Sequence, residues 1–172
     1  TNQAAASPAM SIVYLDPSAW VKRYLAEPGS EVMDAIWGEI SRGRGQAVCH
    51  WLGFTELVWV LQRRRNMGYL DARAFAAVYQ QFREDCERVV WVGLSWDQVQ
   101  ASVVWIVRHN LNATDALHLQ VALSQRALGE GSVYLVSSDR RLVRAARVEG
   151  LVCVDPERCE VAALQGLFTL SE

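Results

Sequence analysis

Four acidic side chains stand where apolar stretches of the chain give way to other structure, and together they could do metal-dependent chemistry. They are Asp16, Glu56, Asp115 and Asp139. Asp16 follows the apolar stretch 11–15, and Asp139 follows the stretch 133–136 closely. Carboxylate oxygens are the ligands that Mg²⁺ and Mn²⁺ prefer. Carboxylates that meet at one edge of a fold could therefore hold such an ion, which lowers the pKa of a bound water and stabilises charge on a phosphate.

Each of these acids also has a purely structural interpretation. Asp115 and Asp139 each stand where an aspartate could cap a helix. Asp16 follows an apolar strand, an arrangement common to α/β enzymes of several kinds. Glu56 is more diagnostic, because it precedes the apolar stretch 57–60 and is poorly placed for a buried helix face. The four signals are weak singly, but jointly they favour a site.

The elements that would position these acids alternate along the chain. Strands are predicted at 11–15, 46–50, 89–94, 133–136 and 151–154, and helices at 17–25, 30–42, 51–65, 71–86, 95–109, 114–129 and 140–149, with N-caps at Ser30, Asp71 and Ser95. Unbroken apolar strands separated by helices predict an α/β fold, in which a parallel sheet has helices on both faces. Sites in such sheets lie beyond the carboxyl ends of the strands, so the acids could converge on one rim.

The composition is that of one globular domain. The chain has 172 residues, of which 51% are hydrophobic and 21% are charged. We expect residues 1–10 to form a flexible tail, residues 11–156 the domain, and residues 157–172 a C-terminal extension. The sequence has no apolar run of roughly 18 residues and no visible signal peptide, which predicts a cytoplasmic protein with no membrane partner. The four cysteines and three histidines lack metal-site spacing.

The basic residues are nearly all arginines. The 17 basic and 19 acidic residues give a net charge of −2, which argues against a protein that binds nucleic acid chiefly through a basic surface. Lys22 is the single lysine, and either codon bias or selection for phosphate contacts by arginine explains this. A solvated helix end is the preferred explanation for 63–65. For Arg140 and Arg141, which adjoin Asp139, we predict contacts with phosphate groups.

Four segments resemble a known family. They are YLDPSAWVKRY at 14–24, TE at 55–56, TDALHL at 114–119 and VSSDRRL at 136–142. Their order and spacing resemble PIN domains, and especially VapC-type toxin ribonucleases of type II toxin–antitoxin systems, over about residues 11–156. The resemblance implies a three-layer sandwich with a five-stranded parallel sheet flanked by helices. It also implies a Mg²⁺- or Mn²⁺-dependent ribonuclease whose catalytic and metal-binding acids are Asp16, Glu56, Asp115 and Asp139.

The resemblance extends to the surroundings of the acids and to partners. Ser18 matches a hydroxyl that supports the site in the family, and Ser138 is predicted to do the same. Pro17 departs from the threonine or small polar residue that is usual after the first acid. A homodimer is implied, with an apolar surface expected on the tryptophan-rich helices. A small antitoxin is also implied, whose tail would offer an arginine to the acids. The surface expected to receive that tail comprises Trp20, Tyr24, Trp37 and Trp51.

Other proteins that gather acids at strand ends fit the sequence less well. A response-regulator receiver needs a lysine after its last strand, whereas Lys22 lies in the first predicted helix. A haloacid-dehalogenase-type phosphatase would have an aspartate in place of Ser18, and a nucleotide-binding fold would have glycines within 16–22. Two alternatives stay open: a non-catalytic RNA-binding or protein-interaction module of the same fold, and a housekeeping PIN nuclease without an antitoxin.

One histidine accompanies the acids on a predicted helix. His118 lies three residues after Asp115, and residues three apart share one helix face. We predict a packing or hydrogen-bonding role for its imidazole rather than a catalytic one.

Overall fold

The computed structural model describes residues 10–128 and 131–168. Five strands form one fully parallel sheet in the order β3-β2-β1-β4-β5. The strands are β1 (Ser11–Leu15), β2 (Gly45–His50), β3 (Val89–Val92), β4 (Val133–Val136) and β5 (Val152–Val154). The two predicted strands nearest the sheet centre, β1 and β4, have the bounds that the sequence indicates. The predicted tail lies outside the described residues except for Met10.

In the described part of the chain, eight helices and one 3-10 turn connect and flank the strands. The helices are α1 (Pro17–Trp20), α2 (Ser30–Ser41), α3 (Trp51–Asn66), α4 (Ala72–Cys86), α5 (Trp96–His109), α6 (Ala113–Leu128), α7 (Arg140–Val148) and α8 (Val161–Phe168), and the 3-10 turn is Val21–Arg23. No helix within residues 10–128 or 131–168 is both long enough and apolar enough to span a membrane.

The two faces of the sheet carry separate apolar cores. On one face, Val13 and Leu15 of β1 pack with helices α1–α4 and α8. On the other face, Tyr14 of β1 and Leu135 of β4 pack with α6 and α7. Burial of both faces accounts for the continuous apolar character of the strands. The predicted fold class, an α/β three-layer sandwich around a parallel sheet, is confirmed.

Several predicted boundaries differ from those in the structure, and three of the differences have an identifiable local or tertiary contact. The first helix ends at Trp20 and continues as a 3-10 turn, in which the side chain of Lys22 is buried against Glu157 at 2.7 Å. Helix α2 is preceded by Gly29 at φ +90°, so Ser30 is its first residue rather than its cap. Strand β5 begins at Val152, because the Leu151 N–H donates to Ala146 and completes the end of α7.

Gly29 occupies a position that only glycine fits. Its φ is left-handed, and a Cβ there would lie 2.7 Å from the backbone carbonyl of Pro156. The Ser30 hydroxyl instead accepts the Glu27 N–H and donates to the carbonyl of Leu25. The turn before α2 is therefore fixed against the segment that follows β5.

The predicted caps at the other two helices are present. The Asp71 side chain accepts the Ala74 N–H, and Ser95 forms a reciprocal capping box with Gln98.

Candidate active site

The end of strand β1 holds the most constrained carboxylate. Asp16 is buried, and its Oδ2 accepts the Ser18 N–H and hydroxyl at the start of α1. The Ser137 hydroxyl donates to the same oxygen at 2.9 Å. Pro17 is compatible with this arrangement, because it is the first residue of α1, where a backbone N–H has no intrahelical acceptor. The departure from the family pattern at Pro17 therefore leaves the Asp16 cap intact.

Ser137, a residue that the sequence did not single out, supplies a hydroxyl that supports Asp16. The pairing of β1 with β4 sets Leu15 opposite Val136, which brings the next residue of each strand side by side. Ser137 Oγ also accepts the Asp139 N–H at 3.1 Å, so it joins two of the acids. The hydroxyl of Ser138 is buried with no hydrogen-bond partner among the described residues, and its N–H donates to Ser18 Oγ. A supporting role for Ser138 beside Asp139 stays a prediction.

Glu56 is held by a buried histidine. His118 of α6 donates from Nε2 to Glu56 Oε2 at 2.8 Å and lies 3.6 Å from Asp16 Oδ1. The hydroxyl of Tyr14 contacts the other ring nitrogen at 3.1 Å. Both imidazole nitrogens are therefore engaged, which agrees with the hydrogen-bonding role predicted for His118 and fixes Glu56 beside Asp16.

Asp115 and Asp139 lie near the starts of α6 and α7, and only one of them caps its helix. Asp139 does cap α7, because its Oδ1 accepts the N–H groups of Arg141 and Leu142. Asp115 does not cap α6, since the Asn112 side chain accepts the Asp115 N–H and donates to Asp115 Oδ2. Asn112, and not Asp115, therefore caps α6.

Each of the four carboxylates has one oxygen engaged and one oxygen left over. The engaged atoms are Asp16 Oδ2, Glu56 Oε2, Asp115 Oδ2 and Asp139 Oδ1. The second oxygen of each acid accepts no hydrogen bond from residues 10–128 or 131–168. A carboxylate that is oriented through one oxygen and accepts no hydrogen bond at the other is a suitable ligand for a hard divalent cation such as Mg²⁺ or Mn²⁺.

The four acids act on one another electrostatically. Burial, together with the nearby charges of Asp139 and Asp16, raises the pKa of Asp115 to about 7. Burial also raises the pKa of Asp16, against the lowering effect of His118. The pKa of His118 is raised as well: burial acts to lower it, but the hydrogen bond to Glu56 and the charge of Asp16 outweigh burial. A cation among the acids would relieve this repulsion.

A histidine cluster beside the acids is less suited to a metal ion. Ligand atoms of His50, Glu56 and His118 lie within 4.8 Å of one another. His50 Nδ1 accepts the Leu52 N–H, and burial lowers the pKa of His50 to about 3, so the neutral ring carries its proton on Nε2. A protonated nitrogen is not a metal ligand. The His50 ring instead packs on His118 at 4.0 Å between centroids and supports its position.

The predicted partner-binding aromatic surface is wrong at three of its four positions. Trp20 is fully buried, stacks on Trp37 at 6.1 Å and contacts Phe82 at 5.2 Å. The Tyr24 hydroxyl is buried and donates to Asp85. These rings fill the core between α1, α2 and α4. Trp51 is exposed and remains available at the surface.

The pH dependence of stability without metal should report on Asp115. Because folding raises the pKa of Asp115 to about 7, the folded state binds the proton more tightly than the unfolded state. This contribution is fully present below about pH 4 and is lost as the pH rises through 7. We expect wild-type stability in EDTA to fall between pH 5 and pH 8. His118 contributes in the same direction, so Asp115→Asn should reduce this fall, by an amount of order 1 kcal/mol, without abolishing it. Urea denaturation at several pH values measures the difference, and identical slopes for both proteins would contradict it.

Comparison with known proteins gives the family. A profile described as "PIN domain" matches residues 13–148. No curated protein sequence matches the chain. Among solved structures, a protein of Pyrobaculum aerophilum is 19% identical with a TM-score of 0.61, covering 89% of this chain and 90% of its own.

Two of the similar structures come from complexes. A toxin–antitoxin complex from Klebsiella pneumoniae matches with 15% identity and a TM-score of 0.57, over 84% of this chain and 97% of that one. VapBC2 of Rickettsia felis, whose structure is bound to a promoter DNA fragment, matches with 11% identity and a TM-score of 0.56, over 83% and 97%. Such identities show a shared fold, whereas the profile covers most of the chain. The chain therefore belongs to the PIN domain family.

Proposed function

We propose that the protein is a ribonuclease of the VapC toxin type that depends on Mg²⁺ or Mn²⁺. The observation that supports this most is the group of four carboxylates, which act on one another electrostatically and are each oriented by a hydrogen bond to one oxygen. Asp16, Glu56, Asp115 and Asp139 would hold the cation. When bound, it supplies a Lewis acid for the phosphate and a water of lowered pKa.

The surrounding side chains position these ligands. Ser18 and Ser137 fix Asp16 through hydrogen bonds to a single oxygen, and Asp16 Oδ1 lies 3.6 Å from His118 Nε2. His118 orients Glu56 through the hydrogen bond to Oε2, and this bond and the charge of Asp16 raise the pKa of its imidazole. Arg140 and Arg141 are exposed at the start of α7, next to Asp139, where they could contact RNA phosphates.

Cleavage of RNA in vitro tests the proposal. Purified protein is incubated with total RNA and with defined single-stranded oligonucleotides, in Mg²⁺, in Mn²⁺ and in EDTA, and the cleaved ends are mapped. Discrete cleavage in either metal, abolished by EDTA, is the expected result. Binding of RNA without cleavage in any condition would instead favour the non-catalytic module of the same fold.

An antitoxin partner is part of the proposal. The structures similar to this chain include one described as a toxin–antitoxin complex and one of VapBC2. We expect expression of this chain alone to slow bacterial growth, and co-expression of the neighbouring small open reading frame to restore it. The growth-neutral control is Asp16→Asn. Free expression of the wild type without a growth defect would favour a housekeeping nuclease.

A homodimer is also proposed, with its interface moved from the buried tryptophans to helix α5. This helix packs on α6 and leaves Val103, Val104, Ile106 and Val107 exposed, with Val107 80% exposed. A row of exposed aliphatic side chains on one helix is typical of an interface. Light scattering at micromolar concentration should give the dimer mass, and Val107→Asp should shift it to the monomer. Leu128→Asp, at an equally exposed leucine of α6, is the control. A monomeric wild type would contradict the proposal.

A further inference from the structure

A groove lined by arginines runs along helix α7, away from the acids. It has a volume of about 470 Å³, and its charged lining consists of Arg140, Arg144, Arg147, Arg158 and Asp155. We call it the α7 groove. Arg140, Arg144 and Arg147 are spaced by four and three residues, so they lie on one helix face. The opposite face, with Leu142, Ala145 and Ala146, is buried in the core and fixes this orientation.

The described residues compensate only part of the charge of the α7 groove. Asp155 is buried, lies 3.6 Å from Arg158 and also accepts the Glu157 N–H. Arg140, Arg144 and Arg147 form no ion pair with any acid in the described part of the chain. Elsewhere arginines do meet acids, as Arg44 meets Glu39. A protein of net charge −2 thus exposes a groove whose charged lining, four arginines and one aspartate, has a net positive charge.

The position of the first arginine argues against a role in helix stability. Cations are favoured at helix C-termini and disfavoured at N-termini by the helix dipole. Arg140 is the first residue of α7 and follows directly after Asp139. Helix stability therefore accounts for Arg147 in the last turn and not for Arg140, whereas a bound polyanion accounts for both.

We infer that the α7 groove binds the phosphate backbone of the RNA strand on one side of the cleaved bond. The inference rests on the proposed function, because the groove begins where Asp139 joins the acid cluster. The rise of an α-helix separates Arg140 from Arg147 by about 10 Å along the axis. Guanidinium groups suit phosphate oxygens geometrically, and contacts with the backbone carry no base specificity. The α7 groove would hold the strand, while sequence choice lies elsewhere.

Binding measured without metal tests the inference separately from catalysis. Fluorescence anisotropy of a labelled 20-nucleotide single-stranded RNA is recorded in EDTA at several KCl concentrations. The double variant Arg144→Ala with Arg147→Ala should raise the dissociation constant at least tenfold. It should also reduce the slope of log K against log salt by about 1.4, the value for two lost phosphate contacts on a single strand. Both arginines are exposed, and thermal denaturation verifies folding.

The matched control removes two arginines from the other side of the sheet. Arg73 and Arg88, at the two ends of α4, are exposed and have no ion pair among the described residues. Their alanine double variant should bind RNA as the wild type does. The single variants Arg144→Gln and Arg147→Gln, which keep the length of the side chain in part, should each produce about half of the change in slope.

The outcomes separate the two proposals. Wild-type RNA cleavage with unchanged binding in the Arg144 and Arg147 double variant overturns the α7 groove and leaves the proposed function intact. Groove-dependent binding with no cleavage in any metal supports the α7 groove and overturns the ribonuclease. Absence of RNA binding by the wild type overturns the inference. So does a double variant that keeps RNA but loses an acidic protein partner, since the groove would then belong to that partner.

Discussion

Asp16→Asn should reduce the rate of RNA cleavage at least 100-fold, which corresponds to about 2.7 kcal/mol of activation free energy. The asparagine carbonyl can accept the hydrogen bonds of Ser18 and Ser137, as Asp16 Oδ2 does. The amide nitrogen would then face the cluster where Asp16 Oδ1 now lies, and an amide NH₂ has no lone pair for a cation. Single-turnover cleavage in Mg²⁺ and Mn²⁺ measures the change.

The same substitution should leave the fold intact. Burial and the charge of Glu56 raise the pKa of Asp16, so loss of its charge relieves a cost. We therefore expect unchanged or higher stability in EDTA, together with weaker binding of Mn²⁺. Asp97→Asn, at an exposed aspartate of α5, is the matched control and should behave as wild type. Equal cleavage by wild type and Asp16→Asn, or wild-type cleavage that survives EDTA, would exclude a metal mechanism at this site.

Strand and helix patterns carry most of the information about the fold. The apolar runs at β1 and β4 are short, bounded by Asp16 and by the serines 137–138, and buried on both faces, so their assignment is unambiguous. The boundaries that fail depend on tertiary contacts. Gly29 replaces the predicted cap before α2 because the chain there touches Pro156, far away in sequence. The local sequence around Gly29 gives no information about a contact with a residue so far away in the chain.

Asp16 and Asp139 were identifiable from sequence because they follow strands whose carboxyl ends meet at one edge of a parallel sheet, and Glu56 because an acid is poorly placed next to an apolar helical stretch. Their supporting groups were harder to identify. The choice between Ser137 and Ser138 depends on the pairing of Leu15 with Val136, and register is a property of two strands together. The partners of His118 lie on β1 and α3, more than 60 residues away. Burial of Trp20 likewise depends on α2 and α4, since aromatic residues suit cores and interfaces equally.

One glycine of α3 was given no role from the sequence, although it positions Glu56. Gly53 is buried in the first turn of α3. A Cβ at Gly53 would lie 2.3 Å from Cys49 Sγ and 3.7 Å from both the His118 ring and Pro17. The absence of a side chain therefore lets α3 approach the end of β2 and the neighbouring imidazole. Glu56 follows three residues later on the same helix face and meets His118 because of this close approach.

Gly53→Ala should consequently lower both stability and activity. Overpacking against buried Cys49 costs about 3 kcal/mol, and the better helix propensity of alanine offsets about 1 kcal/mol of this. We expect a net loss of about 2 kcal/mol in urea denaturation. Cleavage should fall by about 100-fold, because a displacement of α3 by even about 1 Å would misalign Glu56.

A second substitution separates this steric clash from other effects of the alanine. Cys49→Ala removes the sulfur that the new Cβ would meet, so the double variant Cys49→Ala with Gly53→Ala should be more stable than the sum of the single variants predicts. We expect a favourable coupling of about 1.5 kcal/mol, within the range for residues in direct contact. Part of the cleavage activity should return with it, since α3 can resume its approach to His118. Additive stability changes, or a Gly53→Ala protein as stable and active as wild type, would show that α3 does not depend on this contact for its position.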